Sequence, residues 1–108
     1  MNRIKLIYSA FPAPADVVGG LTIRDPSGGL TILINTVKPE EEQRKYLKHE
    51  FSHIILGHLW DDRIKGDDLS YLDDNPEVED EANRYADQMT DETLSEYMTG
   101  LIGETVYL

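Results

Sequence analysis

Residues 49 to 53 read His-Glu-Phe-Ser-His, two histidines four positions apart with a glutamate directly after the first. On a helix, side chains four apart project from one face, so two ring nitrogens can hold one Zn²⁺. Glu50 then stands beside a water on that ion, long enough to take its proton without becoming a ligand. The chemistry this pattern supports is metal-dependent hydrolysis, with peptide bonds as the expected substrate.

Hydrolytic zinc sites take three protein ligands and a water, so a third ligand must come from elsewhere. The candidates are His58, the aspartates of the 61–75 stretch and the acids of 77–81. If the helix is extended to residue 58, His58 falls about 180° from His49, on the side of Phe51. It is also one position short of the HExxHxxGxxH spacing. Its expected place is therefore the helix end, partly buried and hydrogen-bonded near the last carbonyls. On a second helix, Glu79 borders an apolar stripe beside Ala82, Asn83 and Ala86, while Asp80 and Glu81 point about 100° and 160° away. Glu79 is the expected third ligand, Glu81 the next choice, and Asn83 could orient a ligand from behind. Tyr46, Tyr71 and Tyr85 are candidates for stabilising a tetrahedral intermediate; each also reads as a packing aromatic.

The elements that must position these groups are legible from pattern and punctuation. Ile4 to Tyr8 reads as a strand closed by Phe11-Pro12-Ala13-Pro14. Leu21–Arg24 and Leu30–Ile34 read as a hairpin around the turn-rich 25–29 segment, with Gly19-Gly20 allowing a bend before it. A helix opens at Pro39, taken as its first residue, with Glu40, Glu41 and Glu42 favouring the positive end of its dipole, and runs to about Gly57. Leu47, Phe51, Ile54 and Ile55 form its apolar face, and Lys45, Lys48 and Ser52 its polar stripe. The acidic 61–75 stretch reads as an exposed loop with a short turn near Leu69–Leu72. A second helix follows, with Asn75 as N-cap and Pro76 at its first position, reaching about Met89. Its apolar face is Val78, Ala82, Tyr85, Ala86 and Met89. A short helix over 91–101 is expected next, and residues 104–108 fit strand or coil equally well.

Composition bounds the reading. The 108 residues are enough for one domain, 1–108, and the 40% hydrophobic content suits a globular chain. No apolar run approaches the ~20 residues a membrane span requires, and the opening residues do not read as a signal peptide. With no cysteine there are no disulfides or thiolate ligands, which fits a cytoplasmic protein. A net charge of −11 disfavours direct nucleic-acid binding; it reads first as a solvated surface, and the sharper reading is that the acidic 61–81 strip attracts a basic protein partner. Nothing in the sequence sets an oligomeric state.

His49-Glu50-Phe51-Ser52-His53-Ile54-Ile55-Leu56-Gly57-His58, followed by Glu79-Asp80-Glu81-Ala82-Asn83-Arg84-Tyr85-Ala86, resembles the ImmA/IrrE family of zinc metallopeptidases, over about residues 20 to 90. The resemblance implies a zincin-like α+β fold: a small antiparallel or mixed sheet packed on the HExxH helix, with a second ligand-bearing helix beside it. It implies His49, His53 and an acid of the second motif as ligands to Zn²⁺, and Glu50 as catalytic base. It further implies an intracellular bacterial, phage or mobile-element protein whose substrate could be a basic helix-turn-helix repressor. Lys48 departs from the pattern, since the family often has a small or apolar residue there. The competing reading is a zinc-stabilised binding module that sequesters a regulatory protein without cutting it.

Overall fold

A computed structural model describes residues 4–24, 27–60 and 75–108. The expected turn near Leu69–Leu72, the acidic loop around it and Tyr71 lie outside the described residues. Strands β1 (Ile4–Ser9), β2 (Gly20–Arg24), β3 (Leu30–Asn35) and β4 (Ile102–Tyr107) form one sheet in the order β2-β3-β1-β4. β2 and β3 are the antiparallel hairpin expected from sequence, whereas β1 runs parallel to both β3 and β4. The sheet is thus mixed and the fold is α+β. The undecided tail is strand.

Alternation along β1 and β3 turns Ile4, Leu6, Ile32 and Ile34 inward, each at most 3% exposed. Helix α1 (Glu40–Ile55) lays Leu47 and Phe51 on that face, and α3 (Asp91–Leu101) adds Leu94, with Met89 closing the cluster. The Phe51 ring stacks at 6.1 Å from Tyr97 of α3. Full burial makes Phe51 the most heavily invested side chain of α1; truncation to Ala would cost about 3–5 kcal/mol. No helix among the described residues is long and apolar enough to cross a membrane.

Helix α2 (Pro76–Gln88) starts as the sequence indicates: the Asn75 side chain accepts from the backbone N–H of Glu77 and Val78, each at 3.1 Å. At α1 the expectation shifts by one residue, because Pro39 is extended (φ −57°, ψ 151°) and caps the helix rather than forming its first turn. Ser52 departs further from its expected polar stripe. It is fully buried, with its hydroxyl donating to the Lys48 carbonyl at 2.7 Å. A short side chain that bonds its own preceding turn carries no unmet polar group into the interior.

Candidate metal centre

α1 and α2 pack closely because Ala82, fully buried, puts no bulk between them. This brings the carboxylate of Glu79 to the two histidines of α1. Glu79 Oε1 lies 3.1 Å from His49 Nε2, and Glu79 Oε2 lies 3.5 Å from His53 Nε2. The two Nε2 atoms are 3.0 Å apart, their rings meeting edge to face at 89°. Glu50 belongs to the same group: His49, Glu50 and His53 each bring a ligand atom within 4.8 Å of the others.

This donor set suits a cation. In a tetrahedral site with Zn–N bonds of 2.0–2.1 Å, neighbouring ligand atoms stand roughly 3.3 Å apart. The two imidazole nitrogens, 3.0 Å apart, and the Glu79 carboxylate, with Oε1 3.1 Å from His49 and Oε2 3.5 Å from His53, stand close to that spacing. Burial, then the neighbouring His49 and His53's other neighbour His58, push the His53 imidazole down to about 3, so it is neutral and able to offer a lone pair. Two imidazoles and a carboxylate are a common set for divalent transition metals, zinc among them.

Beside this group lies a cleft of about 630 Å³ lined by Tyr46, His49, Glu50, Glu79 and Asn83, with Gly19 and Gly20 across from them. Glu50 is only 5% exposed and forms part of its wall. Close approach is what requires Gly19, and it leaves little room at Gly20. A Cβ on Gly19 would stand 2.1 Å from the Tyr46 ring, and one on Gly20 3.3 Å from Glu50 Cγ. The chain therefore crosses the site as bare backbone. Asn83 is exposed at the cleft, and Tyr46 packs beneath Gly19. Tyr85 faces away from the group, its hydroxyl 2.9 Å from that of Tyr97.

A residue at the end of β3 escaped the sequence reading. Asn35, fully buried at the end of β3, uses all of its amide. It donates to the carbonyls of Asp16 (3.0 Å) and Val18 (2.8 Å) and accepts from Phe11 and Val37 N–H, both at 3.1 Å. It thereby ties down the loop that delivers Gly19 to the cleft. The only sequence signal was a polar residue closing a β-branched run.

His58 is the main correction. It is 1% exposed and faces His53, not the last carbonyls of α1. Helical geometry does not extend to it: Gly57 takes φ +73° and reverses the chain, and residues 58–60 form a 3-10 turn. Arg24 of β2 holds that turn through a 2.7 Å hydrogen bond to the Leu59 carbonyl, its guanidinium 5.6 Å from the Trp60 ring. Glu81, placed on the far side of α2 by the helical wheel, reaches His58 Nε2 at 3.2 Å. Lys48 pairs with Asp91 of α3 at 2.8 Å.

The Peptidase_M78 family, described as the IrrE N-terminal-like domain, matches residues 4–100. No match to a curated protein accompanies it.

Proposed function

We propose, on the premise that this chain belongs to the Peptidase_M78 (IrrE N-terminal-like) family, that it is a zinc-dependent endopeptidase acting on a protein substrate. His49, His53 and Glu79 are the ligands in this reading, and Glu50 is the general base. The observation that carries it is the meeting of two imidazoles and a carboxylate from separate helices within 3.0–3.5 Å, with Glu50 in the adjoining cleft wall.

A bound Zn²⁺ would supply Lewis acidity toward the scissile carbonyl and make water a stronger acid at neutral pH. The chain's own residues do the rest. Glu50 takes the attacking water's proton on its carboxylate and delivers it to the departing amine nitrogen. Its burial keeps bulk water from competing for that proton. His53, held neutral, supplies a nitrogen lone pair without adding positive charge, and the Glu79 carboxylate lowers the site's net charge by one. An extended substrate segment would lie in the cleft, along the sheet-edge strand β2 whose Gly20 end adjoins Glu50.

The net charge of −11 favours a basic substrate, and a helix-turn-helix repressor of a phage, a mobile element or a bacterial stress circuit fits that requirement. A cytoplasmic setting is the one in which such a repressor would be met. Purified protein should hold about one equivalent of zinc. Incubated with a candidate repressor from its own genome, the wild type should cleave it and Glu50→Gln should not, with zinc content equal in both. Cleavage persisting in Glu50→Gln overturns the mechanism. A stable complex with intact repressor in both proteins would instead support sequestration without cutting.

A further inference from the structure

His53 uses its two ring nitrogens in different directions. Nε2 faces His49 and Glu79, while Nδ1 lies 2.9 Å from His58 Nδ1, and His58 Nε2 lies 3.2 Å from Glu81 Oε1. We propose that His58, backed by Glu81, is a positioning residue that fixes the tautomer of His53 and so decides which of its nitrogens offers a lone pair to a metal. The tautomer assignment stands on these contacts alone; its consequence for metal binding rests on the function proposed above.

The chain of contacts has one consistent direction. A carboxylate only accepts, so His58 Nε2 carries the proton shared with Glu81. A neutral imidazole has a single N–H, which leaves His58 Nδ1 as an acceptor. His53 Nδ1 must then be the donor across the 2.9 Å contact. With its one proton committed there, His53 holds its lone pair on Nε2, toward His49 and Glu79. The opposite arrangement, an imidazolium at His58 donating at both ends, would drive the His53 proton onto Nε2 and aim an N–H into the group of ligands.

Burial makes the direction matter. His53 and His58 are 0% and 1% exposed, so solvent does not offer either ring an alternative partner. The left-handed Gly57 and the Arg24 hydrogen bond to Leu59 hold the turn that presents His58 to His53. Metal-binding histidines commonly donate their second nitrogen to a carboxylate or a carbonyl. Here an imidazole is interposed, so the carboxylate of Glu81 acts on His53 at one remove.

The test uses the full chain, stripped of metal and labelled with ¹⁵N on histidine. Long-range ¹H–¹⁵N correlation spectra should show His53 protonated on Nδ1 and His58 on Nε2. A His53 proton on Nε2, or a His58 proton on Nδ1 rather than Nε2, overturns the proposal whatever zinc does. The second readout is the Zn²⁺ dissociation constant, measured by competition with a chromophoric chelator. His58→Phe should weaken binding by about 10–100-fold, and His58→Asn, whose Oδ1 stands where Nδ1 does, should recover most of that loss. Wild-type affinity in His58→Phe, or equal losses in the Phe and Asn variants, overturns it. Should His58→Phe not fold, Glu81→Leu at the more exposed end decides the matter: with no acceptor for the Nε2–H the His58 tautomer population should shift, and an unchanged spectrum counts against the relay. Failure of the wild type to bind zinc would remove the metal reading, while the spectrum still decides the tautomer.

Discussion

α1 is tied to both of its helical neighbours by ionisable groups at similar distances, and the two ties differ in kind. Toward α2, His49 and His53 meet Glu79 at 3.1 and 3.5 Å. Toward α3, Lys48 and Arg44 meet Asp91 at 2.8 and 3.6 Å. On the α2 side the His53 side chain is sealed from solvent, whereas on the α3 side Asp91 keeps 66% of its side-chain surface in water. Water and salt screen the Asp91 pairs, and holding long side chains in place offsets much of what remains. A buried imidazole has no such substitute partner. In this molecule the rank of a contact follows its burial far more than its length.

The sharpest way to break that contrast is on the α2 side. Glu50→Gln should lower kcat/KM by about 10³-fold, since a neutral amide cannot carry the proton, while leaving zinc content unchanged. A fall below about tenfold in a steady-state assay would place the base elsewhere. Next comes Asn35, a buried polar hub with no charge. Asn35→Ala should cost about 3 kcal/mol in a urea melt, because four backbone groups lose their partner at once. If it costs no more than a surface substitution, burial is not the ranking principle. Metal linkage gives a comparable effect: Zn²⁺ at about 100 times its Kd should stabilise the wild type by about 2.7 kcal/mol. The same addition should leave the thermal midpoint of His53→Ala unmoved.

The smallest effect belongs to the α3 side. Asp91→Asn should shift the melting midpoint only slightly, and the shift should vanish in high salt. Its pH dependence has a definite sign. Lys48, by hydrogen bond and charge, and then Arg44 hold the Asp91 carboxyl below its ordinary 3.8. What it contributes is therefore complete above the unfolded value and is lost as pH falls through the lower folded one. Wild-type and Asp91→Asn melts should converge in strong acid; a gap that widens there would contradict the assignment.

The sequence was most readable where the cause is local. Strand-forming runs bounded by turn residues placed β1 and the hairpin, and Asn75-Pro76 announced α2, because a cap or a turn involves residues only a few positions apart. The positions of His49, Glu50 and His53 on one side of α1 follow from helical periodicity alone. Glu79 could be singled out because Ala82 and Ala86 mark the face on which another helix can come near. His58 was misplaced because a wheel assumes continuous helix, and a single left-handed residue at Gly57 ends that assumption. Asn35 was passed over because its partners lie far off in the chain, at Phe11, Asp16 and Val18. Ser52 misled because hydroxyl polarity was read as exposure, when its own helix satisfies it.

The placement of β1 at the inside of the sheet sets an order of events during synthesis. Ile4 must find Leu30 on one flank and Ile102 on the other, both in parallel alignment. As the chain leaves the ribosome, β3 can dock early, but the opposite rim of β1 stays bare until residues 102–107 have emerged. For that interval a row of unsatisfied amides beside Leu6 is open to any passing strand. A nascent chain stalled just short of Ile102 would therefore carry both histidines of the motif and Glu79 together with an unsealed, association-prone sheet.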